Sequence, residues 1–181
     1  MQYQDLETQL RYLNTTNLEL VGRAYEVSAK AHHGQKRKTG EPYIEHPLRV
    51  ASFLAKRHLD APTIAACLLH DLSEDTQVRL DDIRKQFGKE IAQLVDGVTK
   101  LGIVRIRKGW FLGKIQQEKL STFERQVETL RKMFIACSRD IRVILIKLAD
   151  RGDNMKTLHG IESAKRERIA KETLEIYAPI A

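Results

Sequence analysis

One segment of this 181-residue chain constrains its fold more than any other. An apolar run, IAACLL, leads directly into the motif HDLSED at 70–75. At helical spacing Glu74 is four residues after His70 and Asp75 is four residues after Asp71, so these side chains crowd one side of the chain. Three carboxylates at the end of a buried helix are energetically costly unless a cation neutralises them. The segment therefore predicts a buried helix that ends in a charged site.

The same motif suits a divalent metal ion, because an imidazole beside a carboxylate is a good ligand pair for such ions. A solvated acidic helix end is the alternative. Two further ligands are expected, and the best placed are His46, just before a predicted helix start, and Asp150, at the end of the run VILIKLAD. His46 could instead be a capping or core histidine, and Asp150 could pair with Arg151. The remaining histidines flank a predicted loop or lie in a polar stretch or a turn, and suit the site less well: His32, His33, His58 and His159.

Helical patterns dominate the sequence and predict an all-α fold. Apolar residues recur every three or four positions in 18–31, and Asp60 can cap a helix that holds Pro62 in its first turn. The segment IRVILIKLADR also suits a buried strand, but its helical neighbours and the lack of hairpin signals favour a buried helix. Further helices are predicted after Pro47, from Asp81 to near Gly88, and over 89–98, 120–137 and 163–177, with loops at 34–43 and 99–114.

Composition and charge limit the classes of function. A formal net charge of +7 suits an anionic partner, either a nucleotide or a nucleic acid. It suits equally well a basic surface that binds no such partner. The two cysteines, Cys67 and Cys137, lie in apolar segments, which is typical of core residues in a reducing compartment. The N-terminus lacks the apolar stretch of a signal peptide and no apolar run could span a membrane. We therefore expect a soluble, cytoplasmic protein.

Several stretches together resemble the HD hydrolase domain of the RelA/SpoT alarmone enzymes. They are AHHGQKRKTGEPYIEHPLRVA, LLHDLSEDT, FGKEIAQLVDGVTKL, RKMFIACSRDIRVILIKLADRGDNMKTL and RIAKETLEIYAPIA. These stretches cover nearly everything from about residue 20 to the end. The resemblance implies an all-α HD-domain helical bundle, with residues 1–181 as a single domain. It also implies hydrolysis of the 3′-pyrophosphate of ppGpp or pppGpp to pyrophosphate and GDP or GTP.

The resemblance further implies roles for individual residues. The metal, manganese in this family, would be held by four ligands: His46, His70, Asp71 and Asp150. The attacking water would be oriented or activated by two acids: Glu74 and Asp75. The nucleotide would contact five residues, the first of which would stack on the guanine: Arg37, Lys38, Thr39, Asn154 and Thr157. Cations on a glycine-flanked loop also suit a pyrophosphate group, and a solvated loop is the alternative.

Two features depart from the family pattern. A stretch resembling ADRxHNMRTL reads ADRGDNMKTL here, so Gly152 replaces a larger residue and Asp153 replaces a histidine. A carboxylate near an anionic substrate is expected to weaken binding unless it pairs with a cation, and Gly152 is expected to cost its helix about 1 kcal/mol relative to alanine. The basic stretch 99–120, with Trp110 and Phe111, is expected to be a surface loop. A cover over the site and a partner contact are the alternatives for this stretch.

Rival functions stay open at this point. The chain could be an HD phosphohydrolase for another nucleotide, or a catalytically weak or inactive HD domain that acts as a regulatory nucleotide-binding module. The change at 152–153 is the only support for the second rival. Nucleic-acid binding is disfavoured because no known motif is present. The ending ETLEIYAPIA favours an N-terminal part of a longer chain in which a synthetase domain follows.

Overall fold

Helices make up the regular structure of residues 2–102 and 122–181, which are the residues that the computed structural model describes. The predicted all-α fold class is confirmed. Within these residues, the β contact is an isolated antiparallel bridge between Lys36 and Pro42. The helices are α1 (Tyr3–Gln9), α2 (Thr15–Ala31), α3 (Glu45–Ala55), α4 (Ala61–Leu69), α5 (Leu72–Asp75), α6 (Leu80–Gly102), α7 (Thr122–Arg139), α8 (Ile141–Lys156) and α9 (Ser163–Glu172), with a 3₁₀ turn at Leu158–Gly160 and a π-helical turn at Thr173–Tyr177.

Helix α4 lies at the centre of the core. All but one of its residues are fully buried, and it packs against α2, α3 and α6. Asp60 begins the helix, because its side chain accepts a hydrogen bond from the backbone amide of Thr63, and Pro62 occupies the first turn, as predicted. An element apolar on all sides must be enclosed by others. The charged motif that follows it therefore begins inside the molecule.

The ambiguous segment after Asp140 is helix α8, as predicted. Asp140 caps it by accepting from the backbone amide of Arg142. Val143, Ile146 and Asp150 recur at helical spacing and are all buried against the core. Because these buried residues recur every three or four positions, helical periodicity outweighs the β-branched composition. This helix carries Asp150 into the interior, close to the end of α4.

The predicted break at Gly88 is present inside α6. Gly88 has φ 87° and ψ 176°, a conformation that favours glycine, so residues on either side form two helical stretches. The second stretch continues to Gly102, so the prediction of a loop from residue 99 is wrong for 99–102. The apolar side of α6 extends through Val98 and Leu101, both buried, and this packing sustains the helix. The rest of the predicted loop, including Trp110 and Phe111, lies outside the described residues.

The two ends of the chain also pack on this core. Helix α1, which was not predicted from the sequence, buries Leu6 and the following Leu10 completely. The predicted surface helix over 163–177 begins as α9 and ends in the π-helical turn, where Tyr177 is buried beneath the guanidinium of Arg151 at 4.0 Å. Of the helices in the described ranges, none is long and apolar enough to cross a membrane.

Candidate metal centre

Three side chains from three helices converge at the inner end of α4. His46 comes from the first turn of α3, His70 directly follows α4, and Asp150 comes from the middle of α8. One possible ligand atom on each lies within 4.8 Å of the others, and all three residues are buried. Two imidazoles and a carboxylate at this spacing form a donor set for a divalent ion. The helices brought together these three of the four predicted ligands.

The imidazole of His70 is oriented by its own helix. Its Nδ1 lies 2.7 Å from the carbonyl oxygen of Cys67, which can only accept, so Nδ1 carries the proton. The other ring nitrogen, Nε2, is buried and has no hydrogen-bond partner among the described residues. It lies 3.1 Å from Asp71 Oδ1 and 3.9 Å from Asp150 Oδ1. A buried lone pair without a donor, facing two carboxylates, fits a bound cation.

Asp150 is held at the cluster by hydrogen bonds on both of its oxygens. Oδ1 accepts from Asn154 Nδ2 at 2.6 Å, and Oδ2 accepts from Lys147 Nζ at 2.8 Å. His46 Nε2 lies 3.2 Å from the same Oδ1. Burial raises the pKa of Asp150, but Lys147 and His46 outweigh it and hold the pKa well below its usual range. The carboxylate is therefore charged and ready to ligate a cation.

Asp71 lies beside this cluster, and Tyr43 orients it. The carboxylate Oδ2 is 3.6 Å from His46 Nε2, and the Tyr43 hydroxyl is 2.9 Å from that oxygen. The same hydroxyl is 2.5 Å from Asp75 Oδ2, so it donates to one acid or the other. Burial, followed by the charge of Asp71, raises the pKa of Tyr43 and keeps it a donor. Sequence reasoning gave Tyr43 no role, although it is only three residues before His46.

The two predicted catalytic acids, Glu74 and Asp75, are exposed and lie close in the chain to His70 and Asp71. Glu74 and Asp75 belong to the one-turn helix α5, which begins two residues after the buried His70. Partial burial, together with the charges of Asp71 and Asp75, raises the pKa of Glu74 despite the opposing effect of Lys147. A carboxylate with a raised pKa at the mouth of a site is a suitable acceptor for a proton from water.

The predicted substrate residues form a second group that adjoins the first. Arg37 donates from NH2 to Asn154 Oδ1 at 2.7 Å and to Thr157 Oγ1 at 3.2 Å. Lys38 is exposed, and Thr39 is half-buried with its Oγ1 unpaired within the described chain. Asn154 lies four residues after Asp150 on the same face of α8, and Thr157 caps the C-terminal end of this helix. Asn154 therefore links the basic loop (residues 34–43), which carries Arg37, to the metal cluster, by which we mean His46, His70 and Asp150.

The unexpected carboxylate at 153 is paired with cations. Asp153 is buried, accepts from His46 Nδ1 at 2.8 Å and accepts from Arg49 Nε at 2.7 Å. Burial raises the pKa of Asp153, but the hydrogen bonds from His46 and Arg49 outweigh burial and lower the pKa to about 2. The sequence predicted that this carboxylate would weaken substrate binding unless it paired with a cation, and Asp153 is paired in this way. Sequence reasoning missed Arg49, although it lies three residues after His46 and therefore on the same face of α3.

The histidines rated less suitable lie elsewhere. His58 and His159 are exposed, and His33 is exposed at the end of α2. His32 is buried, but its Nδ1 lies 2.7 Å from Gln35 Oε1 and its ring stacks on Tyr43 with centroids 4.4 Å apart. His32 therefore contacts Tyr43 but does not belong to the cluster formed by His46, His70 and Asp150.

A family model described as an HD domain matches residues 24–181 of this chain. The chain belongs to the HD-domain family. The matched range contains both His70-Asp71, at the end of α4, and the outer residues His46 and Asp150. An HD domain is a helical fold, in agreement with the helices described above.

Similar full-length proteins come from the RelA/SpoT group, so the resemblance found in the sequence is confirmed. The chain is 47% identical over 94% of its length to the guanosine-3′,5′-bis(diphosphate) 3′-pyrophosphohydrolase of Vibrio cholerae and to the bifunctional (p)ppGpp synthase/hydrolase SpoT of Escherichia coli. It is also 47% identical over 94% of its length to a GTP pyrophosphokinase of Myxococcus xanthus. The chain spans only 21–22% of the length of these relatives.

A solved structure of a metazoan SpoT orthologue has a similar fold, with a TM-score of 0.61. That protein is described as hydrolysing ppGpp and as having a role in starvation responses. The match covers 86% of this chain and 84% of that chain at 24% identity. At this identity the likeness shows the helical fold alone.

Proposed function

We propose that this HD domain hydrolyses the 3′-pyrophosphate of ppGpp or pppGpp and releases pyrophosphate with GDP or GTP. The observation that carries the proposal is the position of Asn154 between two groups. It donates to Asp150 at 2.6 Å and accepts from Arg37 at 2.7 Å. A side chain that contacts both the metal cluster and the basic loop would hold a nucleotide with its phosphates at the cluster. The 47% identity to a named 3′-pyrophosphohydrolase supports this substrate.

The proposed ligands are His46, His70, Asp71 and Asp150, and the proposed ion is Mn²⁺. The buried, unpaired Nε2 of His70 supports the fit, as does the mixture of imidazole and carboxylate donors. When bound, a divalent ion would lower the pKa of a water molecule and neutralise the negative charge of the phosphates. Asp71, oriented by the Tyr43 hydroxyl, would complete the ligand set from the exposed side.

The reaction that we propose is the attack of water on the phosphorus attached to the ribose 3′ oxygen. The new P–O bond forms as the bond to the 3′ oxygen breaks, and that oxygen takes up a proton from solvent and leaves as a hydroxyl. Glu74 accepts the proton from water, and Asp75 holds the water in position. The raised pKa of Glu74 favours this role, because a base is most efficient when its pKa approaches the working pH.

Arg37 is the proposed contact for the guanine. Its guanidinium is kept in place by Asn154 and Thr157 and lies 3.8 Å from Asp153 and 3.7 Å from Glu41. A planar cation fixed in this way can stack on a purine face. Lys38, which is exposed on the same loop, would attract the phosphates, and Thr39 would contact the nucleotide beside it.

The proposal extends to the setting of the domain. We infer a cytoplasmic protein, which its free cysteines Cys67 and Cys137 support. We also infer that residues 1–181 act as one hydrolase domain and that a synthetase domain works with it. The printed name of the Escherichia coli relative, synthase/hydrolase, supports this pairing by describing both activities in that protein.

The decisive experiment is a hydrolysis assay with purified protein, ppGpp and Mn²⁺, and with EDTA as the control. Products are separated by anion exchange, and we expect GDP and pyrophosphate in equal amounts only when the metal is present. Parallel reactions with Mg²⁺ and Zn²⁺ test the choice of ion. If the protein binds both metal and ppGpp but yields no product, the regulatory nucleotide-binding function replaces hydrolysis.

A further inference from the structure

Asp153 is a buried carboxylate that the proposed reaction does not use. Only 4% of its surface is exposed. It lies between the imidazole of His46 and the guanidinium of Arg49, and Arg37 NH1 is 3.8 Å from its Oδ2. Arg49 contacts both of its oxygens, from Nε at 2.7 Å and from NH2 at 3.1 Å. A buried carboxylate bound by charged donors on two sides is held in one orientation.

The contact with Asp153 decides which nitrogen of His46 faces the metal cluster. A carboxylate can only accept, so His46 Nδ1 carries a proton and points away from the cluster. Nε2 is then directed to the cluster, 3.2 Å from Asp150 Oδ1 and 3.6 Å from Asp71 Oδ2. The neutral carbonyl of Cys67 orients His70 in the same way. The charged carboxylate of Asp153 has a second effect, because it also makes the Nε2 atom of His46 a stronger electron-pair donor to a metal.

Arg49 joins this contact to the basic loop. Besides Asp153, it donates from NH2 to Glu41 Oε1 at 2.7 Å and from NH1 to Glu41 Oε2 at 3.1 Å. Glu41 belongs to the loop that carries Arg37, and the two residues lie 3.7 Å apart. A continuous series of charged contacts therefore runs from the loop through Glu41, Arg49 and Asp153 to His46.

We propose that Asp153 is a positioning residue that sets the metal affinity of His46, and that Arg49 couples this setting to the loop at 34–43. The inference rests on the proposed metal site, but not on the identity of the substrate. It assigns a role to the position at which this chain departs from the pattern of the family. A carboxylate that would weaken substrate binding if it were unpaired is thus paired with cations and orients a ligand.

A purely structural ion pair between Asp153 and Arg49 makes a different prediction. Its loss would lower the stability of the metal-free protein and leave the dissociation constant for the metal unchanged in the folded fraction. A positioning role changes that constant directly. Partners that orient metal-binding histidines typically change metal affinity by about 10–100-fold.

The test measures Mn²⁺ binding to the purified, metal-depleted protein by isothermal titration calorimetry, with no nucleotide present. We expect Asp153→Asn to raise the dissociation constant by about tenfold or more. Asp140→Asn is the matched control, because Asp140 is also paired with an arginine but lies at the start of α8, away from the cluster. An unchanged constant for Asp153→Asn in a folded protein would overturn the proposal.

Arg49→Gln provides a second variant if Asp153→Asn does not fold. It keeps the contact between Asp153 and His46 but removes the anchor on the carboxylate. We expect weaker Mn²⁺ binding in this variant too, and an unchanged constant would reject the coupling through Arg49. The two hypotheses fail differently: wild-type protein that binds Mn²⁺ but hydrolyses no ppGpp disproves the proposed function alone. Equal Mn²⁺ affinity of wild type and variants disproves only the role of Asp153 and Arg49.

Discussion

The Nδ1 atom of His70 lies 2.7 Å from the carbonyl oxygen of Cys67, one helical turn earlier in the chain. Cys67 is completely buried within α4, so this oxygen has a fixed position. The ring of His70 is therefore oriented by its own helix, with Nε2 facing Asp71 and Asp150. Such preorganisation lowers the conformational cost of binding an ion.

His70→Ala should abolish Mn²⁺ binding, because it removes the nitrogen that the buried site leaves unpaired. Metal content after gel filtration and the Mn²⁺-dependent rise in melting temperature should both be lost. His159→Ala is the control, because His159 is exposed in the 3₁₀ turn, and it should bind the metal normally. Full metal content in His70→Ala would contradict the proposed ligand.

Glu74→Gln should retain the metal and lose the rate of hydrolysis. The amide cannot accept the proton from water, and removing a general base typically costs about 100-fold or more in kcat. Steady-state kinetics with ppGpp, together with metal analysis of the same sample, measures both effects. Asp81→Asn, at an acid with 71% of its side chain exposed in the first turn of α6, should be unchanged. A wild-type kcat in Glu74→Gln would assign water activation to another group.

Arg37→Ala should mainly raise the KM for ppGpp. Hydrogen bonds and stacking by a charged group contribute about 1.5–3 kcal/mol, which corresponds to a rise of about tenfold or more. Arg57→Ala is the matched control, because Arg57 lies over the Phe53 ring just beyond the C-terminal end of α3, whereas His46 lies at the other end. A fall in kcat at constant KM would instead indicate a role in the chemical step.

Local patterns in the sequence were enough to predict most of the helices. Asp60 and Pro62 gave the start of α4, and Gly88 gave the break in α6, because capping and positive φ depend on residue type. Helix α1 was missed because its stability comes from Leu6, which packs into a core formed by distant residues. The end of α6 was missed for a similar reason, since the burial of Leu101 outweighs the loop-like composition around it.

The site was less accessible to sequence reasoning than the helices. The motif at 70–75 indicated a charged site, but the positions of His46 and Asp150 relative to it depend on how α3 and α8 pack. The contacts of Asp153 with Arg49 and His46 also arise only from that packing, so the sequence could not show which cation would pair with an acid at 153. The Tyr43 hydroxyl, which lies close to both Asp71 and Asp75, had no detectable signal beyond its nearness to His46.

Gly152→Ala should stabilise the protein, whereas Gly97→Ala should destabilise it. Gly152 is an exposed helical residue, and no described atom lies within 4 Å of a Cβ built on it, so alanine should add up to about 1 kcal/mol to the free energy of unfolding. A Cβ on Gly97 would lie 2.8 Å from Val143 Cγ2, at the contact between α6 and α8. Such overpacking costs about 1–3 kcal/mol. Urea unfolding should show opposite shifts, and equal shifts would contradict this packing.

Asp140→Asn should lower stability at neutral pH and have a smaller effect in acid. Hydrogen bonds from Arg142 lower the pKa of Asp140, while Asn should still cap α8. Because the folded pKa lies below the unfolded value of about 3.9, the charged pair stabilises the fold above that pH. This contribution is lost as the pH falls through the folded pKa. The groups are partly exposed, so the expected difference is about 1 kcal/mol or less.

The measurement for this prediction is the free energy of urea unfolding of wild type and Asp140→Asn at pH 7, 5 and 3. The gap between them should be constant from pH 7 to pH 5 and should shrink at pH 3, because Asp140 then takes up a proton more readily in the unfolded state than in the folded state. In the variant Arg142 keeps Asp60 and Glu90 as partners at 2.7 and 2.8 Å, so no unpaired cation complicates the comparison. Asp81→Asn is the control, because Asp81 lies 3.9 Å from Arg79, whose side chain is 80% exposed. This variant should unfold with the same free energy as wild type at each pH. If the gap for Asp140→Asn instead widened towards pH 3, the stabilisation would not come from the ionised carboxylate.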